Sequence, residues 1–227
     1  AREMARSSRW RPRWAYAASA TARCATVSGS NVPGYTPIVT GVHGTVAVVA
    51  PQHQQSTSGP PNSGAELVEV VDEHGQVIDV VARSVMRAGR LRHRCTFVVV
   101  RDPAGRVLVH QRSARKDMWP SRWDLAAGGV VQVGEDWEVA ATRELAEEVG
   151  VTGVALTPLT IGSVSYSDDD VDEVARVWTV TWDAPVTFAD GEVVAARWVT
   201  IDELRSLLDR ESFVPDSVAL ALPLIVA

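Results

Sequence analysis

Three glutamates and an arginine in the middle of the chain have the types and the spacing of a divalent-cation site. Glu144, Glu147 and Glu148 lie within five consecutive residues, directly after Arg143. On a helix, residues three and four apart share a face, so the carboxylates fall on one stripe. Like charges at this spacing repel each other. Oxygen ligands of this kind suit Mg²⁺ or Mn²⁺, so the pattern predicts a metal-binding helix in which Arg143 orients Glu147.

The residues around this stretch define the helix and the loop before it. Glu135 and Asp136 stand where acids favour the start of a helix, and Gly150 stands where glycine commonly ends one. Glu135 is also placed to pair with Arg143. The preceding run Ala126–Gly129 is made of small residues, which let the backbone approach a cation or a phosphate closely. The competing interpretation is a solvated acidic helix face without a ligand.

Nine positions of this segment together resemble the Nudix box. They are Gly129, Glu135, Arg143, Glu144, Leu145, Glu147, Glu148, Gly150 and Val151. The resemblance implies a hydrolase that cleaves a diphosphate linkage in a nucleotide-like small molecule with Mg²⁺ or Mn²⁺. It implies metal binding by Glu144, Glu147, Glu148 and the carbonyl of Gly129, and structural roles for Glu135 and Gly150.

The same resemblance suggests the remaining site residues. Arg143 and Glu147 are expected in the catalytic machinery, with Glu147 either a metal ligand or the general base. In many members the base comes from a later loop or strand, and Glu192 is the candidate of that kind, followed by Glu173. An acid at either position is more often an ordinary surface residue than a general base. Substrate-binding candidates are Arg112, Lys116 and Arg94.

Further motifs resemble the Nudix branch near isopentenyl-diphosphate isomerase, including its uncharacterised hydrolases. These motifs are Leu91-Arg92-His93-Arg94, Gln111-Arg112, Lys116-Asp117, Trp119-Pro120, Trp123-Asp124 and the run from Phe213 to Ser217. Isomerase chemistry in that family needs a cysteine and a histidine cluster, and the aligned positions here hold Gly128 and Val130. Isomerase activity is therefore disfavoured, and His93 is expected to be a satisfied histidine at a strand edge.

A second alternative is a Nudix-type nucleotide sensor or binding module. Such domains commonly lose box carboxylates, and the complete set here favours catalysis. Trp119, Trp123 and Trp178 are candidates for stacking on a base, although buried aromatic residues more often fill a core. Substrate recognition in a fold of this kind comes from variable loops, so the sequence leaves the substrate open. Family likeness favours a homodimer.

Regular elements that could position the site begin near residue 66. Strands are predicted at 67–71, 77–81, 95–100, 106–111, 156–166, 175–181 and 193–199, and helices at 82–88, 201–208 and 216–226 besides the central one. More strands than helices, with one long helix in the middle, predict an α+β domain. By resemblance this is a Nudix-like α/β/α sandwich with a mixed central sheet.

The chain divides by composition into an extension, residues 1–64, which is expected to be disordered or loosely ordered, and a Nudix-type domain, residues 65–227. The extension carries six arginines and one acid, so the domain is more acidic than the net charge of −6 indicates. An acidic domain repels nucleic acid, and we expect neither a nucleic-acid partner nor a membrane span. Two cysteines, Cys24 and Cys95, form no disulfide framework, which favours a reducing compartment and a cytoplasmic protein.

Overall fold

The computed structural model describes residues 65–189 and 191–226, together with the backbone of Ala47–Val48. The rest of the predicted extension lies outside the described residues, so the boundary at residue 65 stays a prediction. The strands are β1 (Ala47–Val48), β2 (Leu67–Val71), β3 (Val77–Ala82), β4 (His93–Arg101), β5 (Val107–Arg112), β6 (Trp123–Asp124), β7 (Ala127–Val130), β8 (Thr157–Pro158), β9 (Val164–Ser167), β10 (Asp172–Thr181) and β11 (Val193–Val199). The helices are α1 (Arg83–Gly89), α2 (Trp137–Val149), α3 (Ile201–Leu208), α4 (Pro215–Leu220) and α5 (Leu222–Ile225).

The strands form one mixed sheet whose central strand is β4. β10 runs parallel to β4 along its whole length, with Glu173 opposite His93, whereas β5, β7 and β11 make antiparallel pairs. β4 and β5 pair with each other at Arg101 and Val107, next to the turn that joins them. Farther from this turn β4 pairs with β7 and β5 pairs with β6. β4 and β5 therefore separate beyond this turn, and the loop before α2 follows β7 next to this separation.

Two apolar cores cover the two faces of the sheet. On one face Leu145 and Ala141 of α2 pack with Val98 of β4. On the other face, Leu204 of α3 and Val218 of α4 belong to the core that contains Phe97, Val177 and other residues of β4 and β10. Because side chains alternate along a strand, neighbouring residues of β4 serve opposite cores. Helices on both faces of a mixed sheet confirm the predicted α+β sandwich.

Most predicted elements are present, and two predictions were wrong. The strand predicted at 156–166 is divided into β8 and β9 by a bend in which Gly162 has a φ of +81°. A positive φ suits glycine and is incompatible with a continuous strand. The single helix predicted at 216–226 is interrupted at Ala221, between α4 and α5. Pro223, near the start of α5, has no N–H to continue the helical hydrogen bonds.

Candidate active site

Capping contacts hold both ends of helix α2 and so orient its polar face. The Asp136 side chain accepts a hydrogen bond from the backbone N–H of Glu138, at 3.1 Å, and so caps the start of the helix. Gly150 ends it in the left-handed conformation, at φ 70° and ψ 17°. A Cβ at this position would lie 2.0 Å from Oγ1 of Thr187, so the close packing also requires glycine. With Leu145 fully buried, the polar face turns towards the loop before the helix.

Arg143 connects the carboxylates of the helix with the loop. Its Nε and Nη2 donate to the two carboxylate oxygens of Glu135, at 3.0 Å and 2.9 Å. Its Nη1 donates to Oε1 of Glu144 at 2.7 Å and to Oε2 of Glu147 at 3.2 Å. Two-pronged pairs of this kind fix orientation as well as charge. The structure thus contains both contacts that the sequence suggested, between Arg143 and Glu135 and between Arg143 and Glu147.

Glu144 lies against the glycine loop with little access to water. Its side chain is 14% exposed. Burial, followed by the negative charge of Glu148, raises the pKa of Glu144 to about 7, although Arg143 pulls in the opposite direction. A Cβ on Gly129 would lie 2.6 Å from Oε1 of Glu144. The loop can approach this carboxylate so closely because residue 129 has no side chain.

Glu148 and Glu192 are brought together by the ammonium group of Lys116. Glu148 is buried, and its Oε2 accepts a hydrogen bond from the N–H of Gly128 at 3.1 Å. Lys116 Nζ lies 3.4 Å from the other oxygen of Glu148 and forms an ion pair with Glu192. Glu192 directly precedes β11. A loop after β5, the helix and the start of β11 therefore meet at one charged centre.

The three box glutamates differ in their surroundings. Glu147 has a 57% exposed side chain, whereas Glu148 has a 4% exposed one. Glu144 and Glu147 bind Arg143, and Glu148 binds Gly128 and Lys116. A cation shared by all three would thus require their side chains to turn towards one another. The oxygen donors, the side-chain-free Gly129 and the cation already held at Glu148 fit a divalent metal at this place.

The predicted diphosphate ligands Arg112 and Arg94 already have protein partners. Arg112 donates to the carbonyl of Met118 at 3.1 Å and lies 3.7 Å from Asp124. The guanidinium of Arg94 forms an ion pair with Glu69, donates to the carbonyl of Glu135 and stacks over a tryptophan ring. Their roles, and that of Lys116, in substrate binding stay predictions.

The tryptophans proposed for base stacking are divided between the core and the surface. Trp123 and Trp178 are buried, one in each core of the sandwich. They fill the interior, which is the alternative that the sequence left open. Trp119 is half-buried and has a φ of 47°, in the loop that follows Lys116. It is the remaining candidate of the three.

A buried polar cluster that the sequence did not predict lies at the start of β4 and β10. Nitrogen, sulfur and oxygen ligand atoms of His93, Cys95 and Glu173 all lie within 4.8 Å of one another. Burial lowers the pKa of His93 to about 4, and burial raises the pKa of Glu173 to about 7 and that of Cys95 as well. His93 begins a central strand and is not at a sheet edge, and Glu173 is not a surface acid; both expectations were wrong.

Comparison with known proteins identifies the family. The model of the NUDIX domain matches residues 91–220. The chain belongs to the Nudix family. An uncharacterised Nudix hydrolase of Yersinia pestis is 38% identical over 162 residues, which cover 70% of this chain and 85% of the relative. The uncharacterised Nudix hydrolase YfcD of Escherichia coli K12 is 38% identical over 165 residues, which cover 70% of this chain and 87% of the relative.

A solved structure shows the same fold. The protein DR0079 of Deinococcus radiodurans superposes on this chain with a TM-score of 0.59 at 25% identity. The match covers 68% of this chain and 96% of the DR0079 chain. The chain is accordingly a Nudix hydrolase, of an enzyme class that acts on diphosphate bonds. The placement near isopentenyl-diphosphate isomerase stays a prediction. In the described part of this Nudix chain, no helix is long and apolar enough to span a membrane.

Proposed function

We propose that the chain hydrolyses the diphosphate linkage of a nucleotide-like small molecule with Mg²⁺ or Mn²⁺ as its cofactor. The observation that supports this most strongly is the complete Nudix carboxylate set beside a glycine loop, in which a Cβ on Gly128 would lie 2.0 Å from the carbonyl oxygen of Thr96. Glu144 and Glu148 are buried next to Gly129 and Gly128. Buried carboxylates without enough positive charge are costly. A divalent cation at Glu144, Glu147, Glu148 and the carbonyl of Gly129 would offset this charge.

Each residue has a distinct part in the proposed reaction. When bound, the metal would supply neutralisation of the diphosphate charge and of the charge that develops on the leaving group. Arg143 holds Glu144 and Glu147 in position and is itself held by Glu135. Lys116, which lies 3.4 Å from Glu148, and Arg112, which lies beside Asp124, are the proposed contacts of an anionic substrate. Arg94 supports the loop through the carbonyl of Glu135.

Glu192 is the proposed general base that takes the proton of the attacking water, with Glu147 as the other candidate. Glu192 has a half-exposed side chain and pairs with Lys116 next to Glu148, so it reaches both water and the carboxylate centre. General-base catalysis contributes about 10²–10⁴-fold. Glu192→Gln is therefore expected to lower kcat by at least about 100-fold. If Glu147→Gln produces this loss and Glu192→Gln does not, Glu147 is the base.

The test of the proposed function is release of phosphate or nucleoside monophosphate from a panel of diphosphate compounds. The panel contains a nucleoside diphosphate sugar, a dinucleotide, a coenzyme and oxidised nucleoside triphosphates, each with Mg²⁺, with Mn²⁺ and with chelator. Turnover should require metal, disappear in Glu148→Gln and persist in the matched control Glu138→Gln, which changes an exposed acid of the same helix. Metal-dependent ligand binding without turnover would instead indicate a nucleotide sensor.

A homodimer and a cytoplasmic location complete the proposal. Both follow from family likeness and composition. Sedimentation equilibrium of the full chain measures the first, and a monomer at all micromolar concentrations would contradict it. Fractionation of the producing cells measures the second.

A further inference from the structure

We propose that His93, Cys95 and Glu173 form a second metal site, for a zinc-like transition-metal ion, separate from the Mg²⁺ or Mn²⁺ site proposed at the Nudix helix. In the described part of the chain, this is the one set of at least three such side chains whose ligand atoms all lie within 4.8 Å of one another. An imidazole nitrogen, a thiolate and a carboxylate are the donors that Zn²⁺ takes in proteins. The proposal does not rest on the diphosphatase activity.

The sheet places the three side chains on the face opposite to helix α2. His93 and Cys95 are two residues apart on β4 and point to the same side, as does Glu173, which pairs in register with His93 on the parallel strand β10. Cys95 belongs to the core covered by α3 and α4, whereas α2 packs in the other core. The proposed site is therefore built by two central strands, which are rigid supports for a metal.

Two buried atoms of the cluster lack hydrogen-bond partners. His93 is 1% exposed and Glu173 is 1% exposed, and neither Nε2 of His93 nor Oε1 of Glu173 has a partner. Leaving a buried polar atom unpaired costs about 1–3 kcal/mol. Both atoms offer a lone pair next to the Cys95 thiol, and one metal ion could accept both lone pairs.

The ring of His93 makes the kind of hydrogen bond that commonly orients a metal-binding histidine. Nδ1 of His93 lies 2.9 Å from the carbonyl oxygen of Leu91. A carbonyl only accepts, so Nδ1 carries the proton and donates it, and Nε2 presents its lone pair to the cluster. Ligating histidines commonly donate their other N–H to a carbonyl in this way, which fixes the ring. The carbonyl of Leu91 thus orients the ring so that Nε2 is available as a ligand.

The charges of the donors also match a divalent ion. Binding would release to water the proton of the Cys95 thiol and, where the Glu173 carboxyl is protonated, the proton of that carboxyl as well. The resulting thiolate, carboxylate and neutral imidazole together carry two negative charges. A zinc-like ion with two positive charges then leaves the buried centre neutral, which removes the cost of burying separate charges. The cation already near the cluster is Arg87, whose charge acts on all three side chains. It can offset one negative charge but offers no lone-pair acceptor.

Two arginine contacts lie next to the proposed site. Arg90 donates to Oγ of Ser167 at 2.6 Å, and Arg92 pairs with Asp172 at 3.0 Å, so the segment before β4 is tied to the turn between β9 and β10. Arg92 and Asp172 directly precede His93 and Glu173 at the starts of β4 and β10. Because His93 and Glu173 are buried, a bound metal should exchange slowly.

The test begins with metal content and cobalt spectroscopy of the full chain. The protein is produced with added zinc, purified under reducing conditions without chelator, and analysed for bound metal. We expect about one zinc ion per chain. Replacement by Co²⁺ should give a thiolate-to-cobalt charge-transfer band in the near ultraviolet. The band should persist in Cys24→Ser, which changes the other cysteine, and in Glu148→Gln, but disappear in Cys95→Ser.

The proposal also predicts how much zinc affinity the ligand variants lose. Removing a ligand should weaken zinc binding more than removing a residue with a merely structural role. Loss of an outer-shell contact costs about 10–100-fold in metal affinity, and loss of Cys95 or His93 as a ligand should exceed this. If Cys95→Ser does not fold, X-ray absorption of zinc in the wild-type protein replaces it: a sulfur neighbour at about 2.3 Å supports the proposal. Folded wild-type protein that takes up no zinc, or zinc without a sulfur neighbour, overturns it.

Discussion

The buried carboxyl of Glu144 should make the metal-free protein less stable as the pH rises through neutrality. Its pKa in the folded chain is about 7, against an ordinary value of 4.5. Between these values the folded state binds a proton that the unfolded state has lost. Stability therefore falls with rising pH, because the unfolded state binds fewer protons there. The loss begins above the lower pKa and is complete above the higher one.

The size of this effect follows from the two pKa values. Each unit of difference corresponds to about 1.36 kcal/mol. The difference at Glu144 therefore predicts a loss of about 3 kcal/mol in the free energy of unfolding between about pH 5 and pH 8. The side chain is 14% exposed, so screening by water reduces this only slightly.

The assay is urea unfolding at several pH values in the presence of chelator, for the wild-type chain and for Glu144→Gln. Glutamine keeps the shape of the side chain and cannot ionise, so the variant should gain stability relative to the wild type as the pH rises. Other buried acids such as Glu173 titrate in both proteins, and their contributions cancel in the difference. Glu138→Gln changes an exposed acid of the same helix, and this matched control should run parallel to the wild type. Parallel curves for Glu144→Gln as well would refute the reasoning.

Three further changes test other contacts of the site. Arg143→Met leaves partly buried carboxylates unpaired and should lower the free energy of unfolding by about 3–5 kcal/mol in a thermal or urea titration. A change below about 0.5 kcal/mol would show that water replaces the guanidinium. Lys116→Met removes the ammonium that would compete with Mg²⁺ for Glu148. Calorimetry should therefore find tighter Mg²⁺ binding in this variant than in the wild type or in Lys116→Arg, and equal affinities would contradict this. Gly150→Ala should lower the free energy of unfolding by at least about 1 kcal/mol more than Gly153→Ala, because both glycines have a positive φ but only a Cβ at residue 150 would meet a neighbouring atom. Equal unfolding midpoints would show that the neighbouring atom moves aside.

Local signals in the sequence predicted the elements around the site well. β11 and α3 have the bounds that were expected, since a mostly apolar run is followed by Thr200 and Glu203, which form a capping box. The central helix ends at Gly150 as predicted, because that glycine adopts the left-handed conformation. The contact of Arg143 with Glu147 was predictable because the two residues are four apart on the helix.

Contacts that depend on strand register could not be predicted. The pairing of Glu173 with His93 joins residues on parallel strands that are far apart in the chain, and a shift of one residue would turn each side chain to the other face. The ion pair of Lys116 with Glu192 depends likewise on how β5 and β11 align. The sequence identified Glu192 and Lys116 separately, but their meeting at Glu148 is a property of the fold.

Lys116 is the one lysine in the chain, and this gives the protein an internal chemical reporter. Burial alone would lower its pKa, but the charges of Glu148 and Glu192 outweigh that effect and the pKa is raised. Acylating reagents attack only the neutral amine, so the resting side chain should react slowly. When another cation occupies the carboxylates, the amine loses the contacts that keep it protonated and its acylation should accelerate. The rate of covalent labelling of an unaltered chain would thus measure occupancy of the carboxylate centre.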